Sequence, residues 1–306
     1  GKSEKQEFVC LEGSYHGETI GALAVTDVAL FKDAYGPMLR ASRTVASPDA
    51  RNAREGESAQ DVARLAAQDV ERLFAERADK IAAFIVEPVA GSTGVLIPPK
   101  GYLKRLRELC TKHGILLIFD EVITGFGRLT TPFAFDYFDV EPDLVTVAKG
   151  LTNGVVPMGA VFSKKHIHDA FMDCPAGIEL FHGYTYSGHP LACAASLATL
   201  EVFEEQNILD NAKGVLQYWN DAVHALKGLP HVIDIRTIGL VAGIELEPIA
   251  GKPGARAFAA FKQAFAEGVL IRTTGDIIAL SPPLVIEKKH IDELFGKLTT
   301  VLKNLD

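Results

Sequence analysis

Two apolar runs stand out in the pattern of hydrophobic and polar positions. The first covers residues 115–119 and ends on Asp120, and the second covers residues 143–148 and ends on Lys149. Short continuous apolar runs are typical of strands buried on both faces of a parallel sheet. Ligands bind at the carboxyl ends of such strands. The pattern therefore predicts that an acid and an amine meet at the ligand-binding edge of a sheet.

The remaining pattern predicts an α/β fold followed by a smaller α+β unit. Strands and helices alternate up to about residue 228, which favours a mostly parallel sheet flanked by helices. The predicted strands are 7–11, 81–86 and 158–163, the predicted helices are 59–77, 101–113, 191–205 and 208–227, and residues 27–56 are interpreted as a surface loop. We predict a large domain at residues 1–228 and a small C-terminal domain at residues 229–306.

The small domain has its own predicted elements. They are strands at 232–236, 239–246, near 269–272 and at 277–280, a helix at 255–267, and a last helix with one apolar side from Ile291 to Leu305. An apolar stripe of this kind is a packing face and needs no cofactor to explain it.

Composition narrows the class of partner. The 306 residues carry a net charge of −8, and the basic clusters are short, so we expect no nucleic-acid or membrane partner. The four cysteines lie far apart and the histidines form no metal motif, so we expect no metal site. The first residues lack the pattern of a signal or transit peptide and resemble the middle of a longer protein. These features predict a cytoplasmic location.

Lys149 and Asp120 have a chemical interpretation and a plainer one. A lysine amine with a lowered pKa can form a Schiff base with an aldehyde. Pyridoxal 5′-phosphate (PLP) needs such a lysine, and an acid against its pyridine nitrogen. The plainer interpretation is a strand-end aspartate that caps a turn and a solvated lysine. Spacing alone leaves both interpretations open.

Several motifs together resemble the class III PLP-dependent aminotransferases of fold type I. The matching stretches are residues 14–17, 87–89, 120–128, 142–143, 148–150 and 185–190. Within the class, residues from about 91 onward are most similar to the omega-amino acid (β-alanine):pyruvate aminotransferases. Residues 17–23 also resemble the diaminopelargonate (adenosylmethionine-8-amino-7-oxononanoate) aminotransferases.

The resemblance implies a role for each of five residues near the cofactor. Lys149 would hold PLP and act as the catalytic base and acid. Asp120 would pair with the pyridine nitrogen, while Val122 and Tyr15 would pack on opposite faces of the ring. His16 would either contact the cofactor or order its turn.

Two further residues are implied by the resemblance. Thr185 would reach the phosphate of the neighbouring subunit's cofactor, which implies a homodimer with shared active sites, with a tetramer also possible. Arg272 would bind the substrate carboxylate. We expect Glu87 to lie behind the site, where a hydrogen-bonding role is equally compatible, and Arg128 to brace the loop after Asp120.

The expected activity is transfer of an amino group from an omega-amino acid or amine to pyruvate. Kinetics would be ping-pong, with PLP alternating with its pyridoxamine form. Alternatives are the biotin-pathway aminotransferase, a PLP aminomutase or racemase, and a non-catalytic remnant that binds a partner. The last is kept open because enzymes of the class have a phosphate-binding Gly/Ser loop before the Tyr15-His16-Gly17 turn, and this sequence lacks it.

Overall fold

The computed structural model describes residues 2–172 and 180–305. The strands are β1 (Glu7–Leu11), β2 (Arg43–Val45), β3 (Ile81–Val86), β4 (Leu116–Asp120), β5 (Leu144–Val147), β6 (Ala160–Ser163), β7 (Val232–Ile238), β8 (Val241–Leu246), β9 (Arg272–Thr274) and β10 (Ile277–Leu280). The α-helices are α1 (Ile20–Ala24), α2 (Ala29–Lys32), α3 (Ala59–Arg77), α4 (Tyr102–His113), α5 (Ala134–Phe138), α6 (Lys165–Met172), α7 (Pro190–Glu205), α8 (Ile208–His224), α9 (Ala255–Ala266) and α10 (Lys288–Lys303).

The first sheet has the strand order β2-β1-β3-β4-β5-β6. The strands from β2 to β5 pair in parallel, and only β6 at the edge runs antiparallel to its neighbour β5. The predicted mostly parallel sheet is therefore confirmed. Because β4 and β5 are direct neighbours and parallel, their carboxyl ends lie side by side.

Helices α3 and α4 cover one part of this sheet. Phe74 on α3, Leu106 on α4 and Phe84 and Phe119 on the strands are at most 1% exposed and belong to one cluster. Burial of such a side chain contributes about 2 kcal/mol, so this cluster fixes the strands beneath the site. Helix α3 begins at the predicted capping box, in which the Ser58 side chain accepts the Asp61 N–H.

The second sheet is antiparallel, with the order β7-β8-β10-β9. Helices α8, α9 and α10 pack on it, and Trp219 of α8 is fully buried against Phe295 of α10 at a ring distance of 5.4 Å. The boundary after residue 228 stays a prediction. Buried residues of this second core begin at Ala212 on α8, so packing favours an earlier boundary.

Three local predictions differ from the structure. Residues 27–56 were expected to be a loop, but they contain α2 and β2, and β2 pairs in parallel with β1. The strand expected near 269–272 begins only at Arg272, because Leu270 is 77% exposed and pairs with no neighbouring strand of the sheet. Helices α5 and α6 were not predicted at all.

None of the helices within the described ranges has the length and hydropathy that a bilayer-crossing segment requires.

Candidate active site

The structure brings Asp120 and Lys149 to the same edge of the first sheet. Asp120 is the last residue of β4, and its register partner on β5 is Thr146. Lys149 follows the end of β5 by two residues and begins a short 3₁₀ turn. The carboxylate and the amine therefore sit on neighbouring strand ends, where ligands bind in open α/β sheets.

The Asp120 carboxylate is held from two sides. Its Oδ2 lies 2.8 Å from Nδ1 of His16, and its Oδ1 accepts the N–H of Val122 at 3.1 Å. Asp120 is 8% exposed, and the His16 side chain is 1% exposed. The His16 backbone N–H donates to the hydroxyl of the buried Thr26 at 2.9 Å, which fixes the turn that carries the imidazole. His16 thus orients the acid from behind.

Lys149 has an unusual backbone and an altered amine. Its φ is +40°, in the left-handed region, which costs a non-glycine residue on the order of 1–3 kcal/mol. Burial of the amine lowers the pKa of Lys149, the Asp120 and Glu87 carboxyls raise it, and the Arg272 guanidinium lowers it. Although Lys149 is open to solvent from the cleft, the surrounding protein removes enough water to make the lowering dominate. At neutral pH more of such an amine is uncharged than of an ordinary lysine, so more of it is available as a base or nucleophile.

A cleft of about 570 Å³ lies beside Lys149 and is lined by residues near both the first and the second sheet. Val122, Lys149 and Arg272 all line it, and apolar residues such as Phe126 and Val285 complete its walls. Arg272 is the first residue of β9 and is exposed. The second sheet therefore presents a guanidinium to the amine and the apolar wall of the first.

Tyr15 stands at the margin of this group. It is half-buried, its hydroxyl donates to Oε1 of Glu18 at 2.9 Å, and its ring lies 5.4 Å from that of Phe31. Burial and the Glu18 carboxylate raise the pKa of Tyr15, while Arg272 lowers it. Tyr15 is thus close enough to the cleft to interact electrostatically with a residue that lines it.

Thr185 is not brought to the cleft of its own chain. It lies in a turn at residues 185–188, and every residue from 181 to 190 is exposed. The neighbouring side chains Phe181, Tyr184 and Tyr186 are 87%, 77% and 77% exposed.

Glu87, which follows the buried strand β3, is a titratable group with an altered environment near the site. Its Oε1 accepts the N–H of Gly91 at 3.2 Å, while its Oε2 is buried and makes no hydrogen bond within the described residues. Burial, together with the nearby Asp120, raises the pKa of Glu87 to about 8. The position of Glu87 after a buried strand predicts that it lies near the site, whereas its raised pKa depends on tertiary packing.

Two other residues of the motif around Asp120 support the fold. Glu121 is fully buried and accepts the backbone N–H groups of Ala134 and Phe135 at 2.6 and 3.0 Å, so it caps α5 from thirteen residues upstream. Arg128 donates to the carbonyls of Leu240 and Pro282 at 3.2 and 2.6 Å. Burial lowers the pKa of Arg128 to about 10. Arg128 thus ties the loop after Asp120 to the second sheet.

Comparisons with known proteins identify the family of this arrangement. The model of the family described as "Aminotransferase class-III" matches residues 1–302. The chain is a class III aminotransferase. It is 53% identical over 311 residues to an omega-aminotransferase of Caulobacter vibrioides, covering 100% of this chain and 70% of the relative. It is 39% identical over 310 residues to an omega-amino acid–pyruvate aminotransferase of Pseudomonas putida, covering 100% of this chain and 69% of the relative.

Solved structures of transaminases have the same fold. The omega transaminase from Pseudomonas jessenii in complex with PMP superposes with a TM-score of 0.94 at 30% identity, covering 99% of this chain and 69% of that one. The fold predicted from the sequence is therefore confirmed, and so is a transaminase as the class of enzyme.

The described residues of this aminotransferase fit the cofactor that its family uses. An amine of lowered pKa, a buried carboxylate and an apolar wall are the groups that PLP requires for its aldehyde, its ring nitrogen and its ring face. The Asp120 carboxylate contacts His16 and is buried away from water. A cationic ring nitrogen would therefore stabilise its charged form.

Proposed function

We propose that this aminotransferase moves an amino group from an omega-amino acid or amine to pyruvate, with PLP as its cofactor. The observation that carries the proposal is the single cleft that Lys149, Val122 and Arg272 line, with Asp120 at the neighbouring strand end. The names of the two relatives support omega-amino donors, and that of the Pseudomonas putida enzyme supports pyruvate as the acceptor.

Lys149 is the proposed catalytic residue. PLP, when bound, supplies an electron sink for the bonds at the substrate carbon that carries nitrogen. The Nζ of Lys149 would hold the cofactor and would accept and return the proton at that substrate carbon. Its lowered pKa leaves more of the amine uncharged at neutral pH, which is the form that accepts a proton.

The groups around Lys149 bind and orient. Asp120 would pair with the ring nitrogen, and His16 would fix the direction of its carboxylate through the 2.8 Å contact. Val122 packs against one ring face, and Tyr15 is assigned to the other face, where offset stacking contributes about 1 kcal/mol. For His16 we therefore favour a role through Asp120 over direct contact with the cofactor.

Arg272 is the proposed binding site for the substrate carboxylate. A guanidinium makes two parallel hydrogen bonds to a carboxylate, which fixes both position and orientation. Its position on the second sheet, opposite Lys149, suits a donor whose carboxylate and amino group are at opposite ends.

We also propose that the active protein is a homodimer in which Thr185 reaches the partner subunit's cofactor phosphate. Exposed apolar side chains occur both in the segment 180–186 and on α7, including Leu180 at 61%, Leu191 at 61% and Leu197 at 62%. Exposed apolar side chains in such number support an interface with another chain. Pairing of dimers into tetramers and the cytoplasmic location stay predictions.

A donor and acceptor panel on the full-length protein tests the proposed activity. We expect amino transfer from β-alanine and from simple amines to pyruvate, and no use of S-adenosylmethionine as donor. Lys149→Ala is expected to lose amino transfer with the fold intact by circular dichroism. Turnover in that variant would favour a different role for the lysine. Conversion of a donor in the absence of pyruvate would favour an aminomutase or racemase.

Dimerisation is tested separately by sedimentation. We expect a dimer for the full-length protein, and Thr185→Val is expected to weaken cofactor retention without changing the sedimentation coefficient. A monomer that transaminates at the wild-type rate would contradict the shared site. A protein that binds no PLP at all would favour the non-catalytic interpretation.

A further inference from the structure

A loop from the first part of the chain crosses the second sheet. Residues 91–95, which we name the crossing loop, are closed by paired hydrogen bonds between the backbones of Ala90 and Leu96, both 3.0 Å long. The loop begins four residues after Glu87 and returns toward α4.

The crossing loop contacts all four strands of the second sheet. On β7, Arg236 donates from Nη2 to the carbonyl of Gly94 at 3.1 Å and from Nε to the carbonyl of Val95 at 3.3 Å. On β9, the hydroxyl of Thr274 donates to the carbonyl of Ser92 at 3.1 Å. The loop is therefore anchored at both edges of the sheet.

The two central strands approach the loop closely at two glycines. A Cβ at Gly94 would lie 2.5 Å from Cδ1 of Ile277 on β10, and the φ of Gly94 is +123°. A Cβ at Gly243 on β8 would lie 3.1 Å from the Gly94 carbonyl oxygen. The backbone of the loop thus lies directly against the sheet, with little room for it to slide.

Both ends of this contact adjoin the active site. The N–H of Gly91 donates to Glu87, whose carboxyl interacts with Lys149. Thr274 is two residues from Arg272 on the same short strand, and residues two apart on a strand point to the same face. The loop therefore links Glu87, which interacts electrostatically with Lys149, to the strand that carries Arg272.

The Arg236 side chain is itself fixed by ion pairs. Its Nη1 donates to Oε2 of Glu245 at 2.7 Å and also pairs with Asp234, and its side chain is 13% exposed. Three strand spacings separate β7 from β9, about 14 Å at roughly 4.8 Å each. A rotation of about 4° around β7 would move Arg272 by about 1 Å, and an error of that size can cost on the order of 100-fold in rate.

We propose that Arg236 and Thr274 are positioning residues that set the distance between Arg272 and Lys149, and so determine the preference for carboxylate-bearing substrates over plain amines. The inference rests on the proposed function, because it requires that Arg272 binds the carboxylate. Arg128 holds the same sheet through Leu240 and Pro282, so loss of the Arg236 contacts permits a small rotation without separating the two parts.

The test compares two donors in the full-length holoenzyme. β-Alanine carries a carboxylate and benzylamine does not, and the donor half-reaction is followed alone by the change in cofactor absorbance. For Arg236→Lys and Thr274→Val we expect the half-saturating concentration of β-alanine to rise about 5- to 20-fold, because a displaced guanidinium meets the carboxylate poorly. The values for benzylamine should stay within about 2-fold of wild type, since that donor makes no use of the guanidinium.

Arg107→Lys is the matched control. Arg107 on α4 is also a partly buried arginine in an ion pair, with Asp143 at 2.7 Å, but Asp143 directly precedes β5 and so lies at the end of the strand away from Lys149. We expect this variant to leave both donors unchanged. Equal losses for both donors in Arg236→Lys, or no change for β-alanine, would overturn the positioning role. If Arg236→Lys does not fold by circular dichroism, Thr274→Val decides the question with the same readout.

Arg272→Ala separates the inference from the function on which it rests. We expect this variant to raise the half-saturating concentration of β-alanine more than either positioning variant does, with benzylamine unaffected. If Arg272→Ala shows this effect and the positioning variants do not, only the positioning role is wrong. If Arg272→Ala leaves β-alanine unchanged, the carboxylate site is wrong and the inference falls with it.

Discussion

Glu87 should make the stability of the cofactor-free protein depend on pH near neutrality. Its buried Oε2 has no hydrogen-bond partner among the described residues, and its pKa is raised from 4.5 to about 8 by burial and by the Asp120 carboxylate. The charged groups that face it are Asp120 and Lys149. We therefore expect Glu87→Gln, which keeps the shape but cannot ionise, to change the pH profile of unfolding.

The sign and size follow from the two pKa values. Between pH 4.5 and 8 the unfolded chain releases the Glu87 proton while the native protein retains it, so the free energy of unfolding falls as the pH rises. The slope is about 1.4 kcal/mol per pH unit, which gives an upper limit of about 5 kcal/mol over this interval. Above pH 8 this contribution levels off.

Urea denaturation at half-unit steps from pH 5 to pH 9 measures the effect. The stability of Glu87→Gln relative to wild type should increase steadily up to about pH 8 and then stay constant. Glu12→Gln, at an exposed glutamate, serves as the control and should parallel wild type. If the Glu87→Gln and wild-type curves run parallel across the range, Glu87 is ionised throughout and our account of its environment is wrong.

Three further substitutions test the packing around the site, each by chemical denaturation. Gly94→Ala should cost roughly 3 kcal/mol, because the φ of +123° is strained for alanine and the new methyl group meets Ile277; an unchanged midpoint would contradict the close approach. Glu121→Gln should cost about 2–4 kcal/mol, since an amide group replaces one oxygen that accepts an N–H such as that of Ala134; a neutral result would mean that this cap is dispensable. Trp219→Phe should cost only about 1 kcal/mol, against about 4 for Trp219→Ala, because phenylalanine keeps most of the packing and removes a buried indole N–H that has no hydrogen-bond partner among the described residues; equal losses would show that ring volume does not matter there.

The parallel strands of the first sheet could be predicted because their signal is local. Residues 81–86 and 115–119 are continuous apolar runs, and a charged residue marks the end of each. The same logic predicted that Asp120 and Lys149 meet at one edge. Strand β2 gives no such signal, since its three residues include Arg43 and Thr44 and depend on pairing with β1.

Other features depend on contacts between distant residues and leave no local pattern. Helix α5 is only five residues long, and the group that caps its first N–H groups is Glu121, far upstream in sequence. The reversal of β6 against β5 is likewise a matter of topology. The crossing loop looked like an ordinary glycine-bearing loop, because the arginine that anchors it lies more than a hundred residues later.

The two adjacent acids at the end of β4 have different roles. Asp120 contacts His16 and is proposed to serve the ligand, whereas Glu121 is buried and caps a helix. Replacing Asp120 should yield a folded protein without activity. Replacing Glu121 should yield a protein of low abundance in the cell. A screen that scores abundance separately from turnover would distinguish the two residues. Natural selection would then retain two neighbours in one motif for unrelated reasons.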